Sequence, residues 1–339
     1  MTDLQIVPID PFDEDAVRAW NRAYELADLH DRGPDADVWT FEEALLELQQ
    51  QTDTISRLAW RGVVDGDTVA SAWLALPLKD NTHRAIWAIH VRPDSRRRGY
   101  GDALLAQVES MAREAGRTTL ASNAYWPYEL GLEGAGSPGV AFARRHGYTL
   151  ALGDVRRMLR LPVAIETLDE LAADAAGRHE GYTLHTFVGP VPDEYVADWA
   201  ALDAVIETDS PTGDLDIEPA SADVADVRES EALIASQGRT IFNAIAVATN
   251  GEVVAYTQLV VPKHDAIAFQ WGTLVRKDHR GHRLGAAVKI ANVRLLQTER
   301  PDVRTISTYN AESNEHMIAV NEALGFVPTE RLGEFQKKL

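Results

Sequence analysis

The chain has 339 residues, 45% of them hydrophobic and 25% charged, which is the composition of a soluble globular protein and the length of two domains. Its 52 acidic and 33 basic residues leave a net charge of −19, which excludes a nucleic acid or an anionic membrane as the main partner. With no cysteine, disulfides, thiolate zinc sites, cysteine nucleophiles and redox dithiols are excluded together. The N-terminus MTDLQIVPIDPFDED lacks a basic and then apolar leader, and no stretch reaches the length of a membrane span, so the expected location is cytoplasmic.

In chain order, the first signal is a turn at Asp65-Gly66-Asp67, followed by the run VASAWLAL. This pattern predicts a β-hairpin. A strand ending at Val91 then leads into Arg96-Arg97-Arg98-Gly99-Tyr100-Gly101. Leu104, Leu105, Val108, Met111, Ala112 and Ala115 follow at helical spacing and predict an amphipathic helix. The polar, Ala-rich segment 166–180 predicts a helical linker. Beyond it the same order returns. A strand over 182–187 leads to a helix after Pro192 and another over 222–235. Hairpin strands over 241–248 and 253–261 flank Asn250-Gly251-Glu252, and a strand ends at Val275. A second Arg/Gly loop, a helix over 285–297, a strand over 304–308, a helix over 313–324 and an extended tail complete the chain.

The recurrence is a repeat. Residues 85–101 align without gaps on 269–285, with six of 17 positions identical: Trp87/Trp271, Val91/Val275, Arg92/Arg276, Asp94/Asp278, Arg96/Arg280 and Gly101/Gly285. Flanking matches keep nearly the same offset, which predicts one fold used twice. The expected class is α/β with a mixed sheet (α+β mixed pairing) in each of two tandem domains, residues 1–165 and 181–339, joined by the linker 166–180.

Each Arg/Gly loop lies between a strand and a helix, where free backbone N–H groups and the helix dipole favour an anion. Loop 1 carries Arg92, Arg96, Arg97 and Arg98 against Asp94, and loop 2 carries Arg276, Lys277, Arg280 and Arg283 against Asp278. A local positive charge inside an acidic protein suits a diphosphate. A strand ending in V-x-P, then R-x-x-G-x-G, then a helix resembles the acyl-CoA loop of the GNAT superfamily of N-acetyltransferases. The resemblance covers both halves, and their tandem arrangement resembles that of mycothiol synthases.

The resemblance implies acetyl-CoA as cofactor. Arg96, Arg97, Arg98, Gly99, Tyr100, Gly101 and Asp102 would hold its diphosphate, with Ile89, Val91 and Asn123 along the pantetheine arm. In the second half the matching positions are Leu274, Val275, Arg280, Gly281, His282, Arg283, Leu284 and Gly285, with Asn310 and Asn314 near the thioester. Two departures are visible: Arg283 replaces a glycine of the pattern, and Asn321 stands where the family places an acidic tyrosine. The family's base positions fall on Ala85, Trp87, Phe269 and Trp271, none of which accepts a proton. The catalytic candidates are therefore Glu312, Asn321 and His90. Trp87 and Trp271 are candidates for lining an acceptor pocket, and Asp214 and Asp216, in an acidic loop, for holding a cationic amine. On its thioester-end residues the second half is the expected seat of catalysis.

The glycine-rich stretch 134–139 follows no strand directly and contains Pro138, so it reads as a loop. His279 and His282 have no third ligand nearby in sequence, and no metal is expected. The expected function is acetyl-CoA-dependent N-acetyl transfer by direct attack of a small amine on the thioester, with no nucleic acid or membrane partner. The chain would act as a monomer, in effect a pseudo-dimer, or as a homodimer. The alternative from the same residues is a non-catalytic CoA-binding sensor or scaffold.

Overall fold

A computed structural model describes residues 3–50, 52–263 and 265–339. The chain divides into two compact units that are interleaved in sequence. Unit 1 comprises Met1–Gly153, Asp214–Asp216 and Arg331–Leu339, and unit 2 comprises Asp154–Gly213 and Ile217–Glu330. The division at 1–165 and 181–339 was drawn along a continuous sequence, whereas the C-terminal residues and the short acidic segment pack with the first unit.

Unit 1 runs β1 (Gln5–Pro8), α1 (Glu14–Arg32), α2 (Phe41–Gln49), β2 (Ile55–Val64), β3 (Asp67–Pro77), β4 (Arg84–Val91), α3 (Tyr100–Glu114), β5 (Thr119–Pro127), α4 (Pro138–Arg145) and the start of β6 (Thr149–Arg160). Local chemistry sets the helix ends. The Asp13 side chain accepts from the Ala16 N–H to cap α1, and Thr40 and Glu43 form a reciprocal capping box on α2. The β2–β3 turn uses Asp65 and Gly66, both at positive φ (50° and 90°), as a two-residue hairpin of matching twist requires. Strands β1 to β4 pair antiparallel in sequence order. The predicted apolar face of α3 is buried through Leu104, Leu105, Val108 and Ala112 against Ala72, Leu74, Trp87 and Leu120.

The last strand, β12 (Val327–Lys338), gives its residues from Arg331 onward to unit 1. Phe335 is 1% exposed in the same core as Trp126 and Tyr148. A Cβ on Gly333 would lie 2.6 Å from the Trp126 ring and 2.8 Å from Leu150. Neither neighbour can move cheaply in a packed core, so Gly333→Ala is expected to cost about 1–3 kcal/mol. Thermal unfolding followed by near-ultraviolet circular dichroism would read this as a melting temperature several degrees lower.

Unit 2 runs α5 (Ile165–Ala176), β7 (Tyr182–Val188), α6 (Val196–Asp203), α7 (Ile206–Asp209), α8 (Val224–Ser236), β8 (Thr240–Ala248), β9 (Val253–Val261), β10 (Ile267–Val275), α9 (Leu284–Glu299), β11 (Thr305–Ala311) and α10 (Glu315–Leu324). The segment read as a linker is largely α5, and its Leu168 is buried in one core with Ile290, Val293 and Leu296 of α9. β7 to β10 pair antiparallel in order, β10 pairs parallel with β11, and β11 pairs antiparallel with Asp154–Arg160 of β6. Each unit thus repeats the same arrangement, a parallel strand pair preceded by an antiparallel meander.

Candidate active site

In each unit the parallel pair opens. β4 and β5 are hydrogen-bonded from Arg84/Thr119 to Ile86/Ala121, and β10 and β11 from Ile267/Thr305 to Gln270/Thr308. Beyond these points the strands part, so Trp87–Val91 and Trp271–Val275 no longer pair with the neighbouring parallel strand. Loops 1 and 2 follow directly, each through a single 3₁₀ turn into α3 or α9.

The two loops share a backbone conformation. Both have two residues at positive φ separated by one residue: Arg97 (64°) and Gly99 (84°) in loop 1, Gly281 (89°) and Arg283 (54°) in loop 2. The glycine has exchanged places between them. In loop 1 the left-handed N-cap of α3 is Gly99, with no side chain over the helix N-terminus, whereas in loop 2 the N-cap of α9 is Arg283. First-turn amides have no intrahelical acceptor and lie open in such a bend. Gly101 fits closely as well, since a Cβ there would meet the Phe142 ring at 3.1 Å.

The charges of the loops differ more than their backbones. Arg96 and Arg280 are braces in both units. Each donates from Nε to the last strand carbonyl, of Val91 at 3.0 Å or of Val275 at 3.1 Å. Their guanidiniums reach Asp31 at 2.7 Å and Asp209 at 3.3 Å. Burial pulls the Asp31 carboxyl up, but hydrogen bonds from Arg96 and His30 outweigh it and hold the carboxyl below its ordinary range. Arg92 is paired with Asp94 at 2.7 Å. Arg97 and Arg98 are exposed and have no partner among the described residues. In loop 2 every basic side chain has a carboxylate: Arg276 has Glu252 and Asp278, Lys277 shares Asp209 with Arg280, and Arg283 has Asp174. Loop 1 therefore retains two uncompensated cations and loop 2 retains none.

On the α1 side of the opening in unit 1, Tyr24, Asp28 and Arg32 form a row at i, i+4 and i+8. Tyr24 packs edge-on to His90 with ring centroids 4.8 Å apart, and the Arg32 guanidinium lies 3.9 Å from the Tyr125 ring on β5. Asp28 sits between them, 3.5 Å from His90 Nε2 and 3.1 Å from Arg32. Burial lowers the His90 pKa below its usual value, and the Asp28 carboxylate opposes this only in part. The lowered pKa favours the neutral imidazole, a proton acceptor at the strand parting. This row was not singled out in the sequence. Its helical spacing was visible there, but its neighbours on β4 and β5 were not.

Other predicted residues are placed as follows. Ile89 and Val91 lie half-buried on β4 past the parting, and Asn123 is exposed on β5. Asp102, in the first turn of α3, is paired with Arg145 and lies 2.9 Å from His146. Tyr100 is buried and its hydroxyl donates to Asp3 at 3.1 Å. Trp87, expected at an acceptor pocket, is 5% exposed and packs edge-on to Tyr148 in the core, because the register of β4 turns it towards α3. Its repeat partner Trp271 is 44% exposed, at a register shift between Gln270 and Thr273.

Asp214 and Asp216, expected to hold an amine, belong to unit 1 and are engaged there. The Asp214 N–H donates to the Ala151 carbonyl at 2.9 Å and its own carbonyl accepts from Gln336. Asp216 pairs with Lys338 and accepts from the Thr119 hydroxyl at 2.7 Å, and its pKa is lowered to about 2 by these two partners. The acidic loop is thus a tether for the segment, with the Asp216 charge compensated inside the protein.

In unit 2, Leu274 and Leu284 are buried, Val275 and Gly285 are half-buried, and His282 lies 3.2 Å from the Arg178 carbonyl. Asn314 caps α10 by accepting from the Met317 N–H, and Glu312 is half-buried. Asn321 is fully buried: its amide donates to Asn310 at 2.5 Å and its carbonyl accepts from Lys289 at 2.6 Å. Lys289 is 2% exposed, and burial lowers its pKa to about 7. It is a second feature missed in the sequence, where its only signal was a lysine on an otherwise apolar helix face.

An open depression of about 550 Å³ is lined by Pro190–Asp193 and α8. None of its residues comes from the loops or the parted strands. Among the described residues no group of three or more His, Asp or Glu is placed to hold a metal, and no helix is long and apolar enough to cross a membrane.

Residues 16–125 match the family model described as acetyltransferase (GNAT) family. A tandem GNAT protein from the clavulanic acid biosynthesis pathway, solved without acetyl-CoA, superposes with a TM-score of 0.79 at 29% identity, covering 99% of this chain and 98% of that one. A GCN5-related N-acetyltransferase from Sphaerobacter thermophilus shares the fold at a TM-score of 0.64 and 18% identity, over 99% and 96% of the two chains. A putative acetyltransferase from Pyrococcus horikoshii does so at 0.59 and 12%, over 100% and 90%. No curated protein matches the chain.

Proposed function

Residues 16–125 form a domain of the acetyltransferase (GNAT) family and the whole chain has the tandem GNAT fold, and from that premise we propose acetyl-CoA-dependent N-acetyl transfer to a small amine, with unit 1 as the working half. The observation that carries this reading is loop 1: an uncovered N-cap at Gly99 beside two exposed arginines without internal partners. These residues fit a diphosphate through free amides, a helix N-terminus and uncompensated positive charge. The cofactor, when bound, supplies an activated acyl thioester.

The chain's own residues supply the rest. Arg97, Arg98 and the amides of Gly99–Asp102 hold the diphosphate. Backbone groups of Ile89 and Val91 that do not pair with β5 line the opening of β4 and β5. An amine acceptor arrives as an ammonium and must lose a proton before it can attack, and neutral His90 at the opening accepts that proton. Asp28, 3.5 Å away, stabilises the imidazolium so formed. With no cysteine in the chain, the acyl group passes directly to the acceptor with no cysteinyl intermediate.

The test is thiol release from acetyl-CoA across a panel of small amines. Release with at least one amine is expected, and tight CoA binding without release from any of them would favour the sensor reading. His90→Gln is expected to lower kcat about 100-fold while leaving the KM for acetyl-CoA within a factor of about two. Because His90 acts in its neutral form and its pKa is lowered, kcat/KM in the parent should fall only as pH drops below the usual histidine range. A kcat unchanged in H90Q would remove His90 from the mechanism.

A further inference from the structure

We infer that the second anion loop is closed from within: the Asp174 carboxylate of α5 takes the position at the N-terminus of α9 that an anionic ligand would need, so the chain holds one cofactor. The inference rests on the reading of unit 1 as the cofactor-binding half.

The backbone of loop 2 is competent, since Gly281 and Arg283 reproduce the two left-handed positions of loop 1. What differs is what stands over it. Arg283 projects from the N-cap position and is paired with Asp174, and the Arg178 carbonyl, in the turn after α5, lies 3.2 Å from His282 Nδ1. Both partners present oxygen acceptors to the loop, as a phosphate would. An exposed ion pair of this kind is worth little alone, and Arg283 and Asp174 are each about half exposed.

The persistence comes from α5 itself. It runs antiparallel to α9, fixed at its far end by the Val163 N–H donating to Gln297 at 2.7 Å and midway by Asp169 with Arg294 at 2.5 Å. Leu168 is buried between these points. That apolar core holds α5 in place, so Asp174 stays beside loop 2 even when its side chain turns. The remaining basic groups of loop 2 are neutralised by Asp209, Glu252 and Asp278. A diphosphate at loop 2 therefore meets a neighbouring carboxylate and no free cation.

Isothermal titration of the full chain with coenzyme A tests this. The parent protein should bind one equivalent, and Arg97→Glu with Arg98→Glu should weaken that equivalent about 100-fold or more. Asp174→Ala with Arg283→Gly should gain a second equivalent, which persists when the loop 1 substitutions are added. Asp174→Asn, which keeps the shape of α5, should bring the second site to at least tenfold tighter binding than in the parent. Two equivalents of similar affinity in the parent, one equivalent retained at parent affinity after the loop 1 substitutions alone, or no second equivalent in folded opened variants would each overturn the closure. Binding only in the opened variants, with none in the parent, would sustain the closure and reject unit 1 as the cofactor site. No binding in any variant would reject both.

Discussion

Reversing both free arginines of loop 1, Arg97→Glu with Arg98→Glu, should weaken coenzyme A binding by about 100-fold or more and leave the fold intact. Each substitution removes one charge-assisted contact worth about 1.5–3 kcal/mol and adds a repulsive charge. Neither side chain supports the protein, because both are exposed and bond to no described residue. Arg96 makes the contrasting case. Its guanidinium is tied to Asp31 and its Nε to the Val91 carbonyl, so Arg96→Glu should perturb stability and the seating of α1 together with binding. Titration calorimetry at two salt concentrations separates the cases. The affinity of the parent should fall with salt, and that of the R97E/R98E variant should depend on it far less. Equal affinity of parent and double variant would remove loop 1 as the diphosphate site.

Lys289→Met should stabilise the protein near neutral pH, by an amount that shrinks and then reverses as pH rises. The folded pKa of Lys289 is lowered to about 7 from an ordinary 10.5, by burial alone. Below pH 7 the folded chain must carry a buried ammonium, and between 7 and 10.5 the unfolded chain binds a proton that the folded chain does not. The parent therefore gains stability as pH rises through that window. The depressed pKa corresponds to a penalty of a few kcal/mol at neutral pH. Methionine removes it but leaves the Asn321 carbonyl without its 2.6 Å donor, a loss of about 1–3 kcal/mol. Denaturant unfolding at pH 7 and above pH 10 reads the difference. A pH-independent difference between the two proteins would show that Lys289 keeps its charge in the fold.

Much of the fold was legible because its signals are local. The Asp65-Gly66 and Asn250-Gly251 turns, the apolar face of α3 and the strand–loop–helix junctions each depend on a few consecutive residues. The gapless repeat of residues 85–101 on 269–285 then made one fold used twice visible without any long-range information. The final strand was read correctly as extended, yet its destination was hidden: residues from Arg331 onward fill the unit 1 core through Leu332 and Phe335, some 180 residues from the strands they join. The partners of the acidic loop were hidden for the same reason. Four acids within ten residues suggest a cation site, whereas Asp216 is committed to Lys338 and Thr119, partners far away in sequence.

By itself, the sequence determined the repeat, the two strand–loop–helix junctions and the chemistry their residue types favour, because backbone conformation and helix termini follow from short patterns. Only the tertiary structure decided which junction keeps uncompensated charge. Net loop charge looked equal in both halves, but a charge acts on a ligand only to the extent that the protein leaves it uncompensated. Compensation is fixed by distant acids, Asp31 in the first half and Asp174, Asp209 and Glu252 in the second. The tandem chain thus carries two similar backbones, and long-range packing leaves two arginines of the first loop uncompensated while pairing every basic side chain of the second.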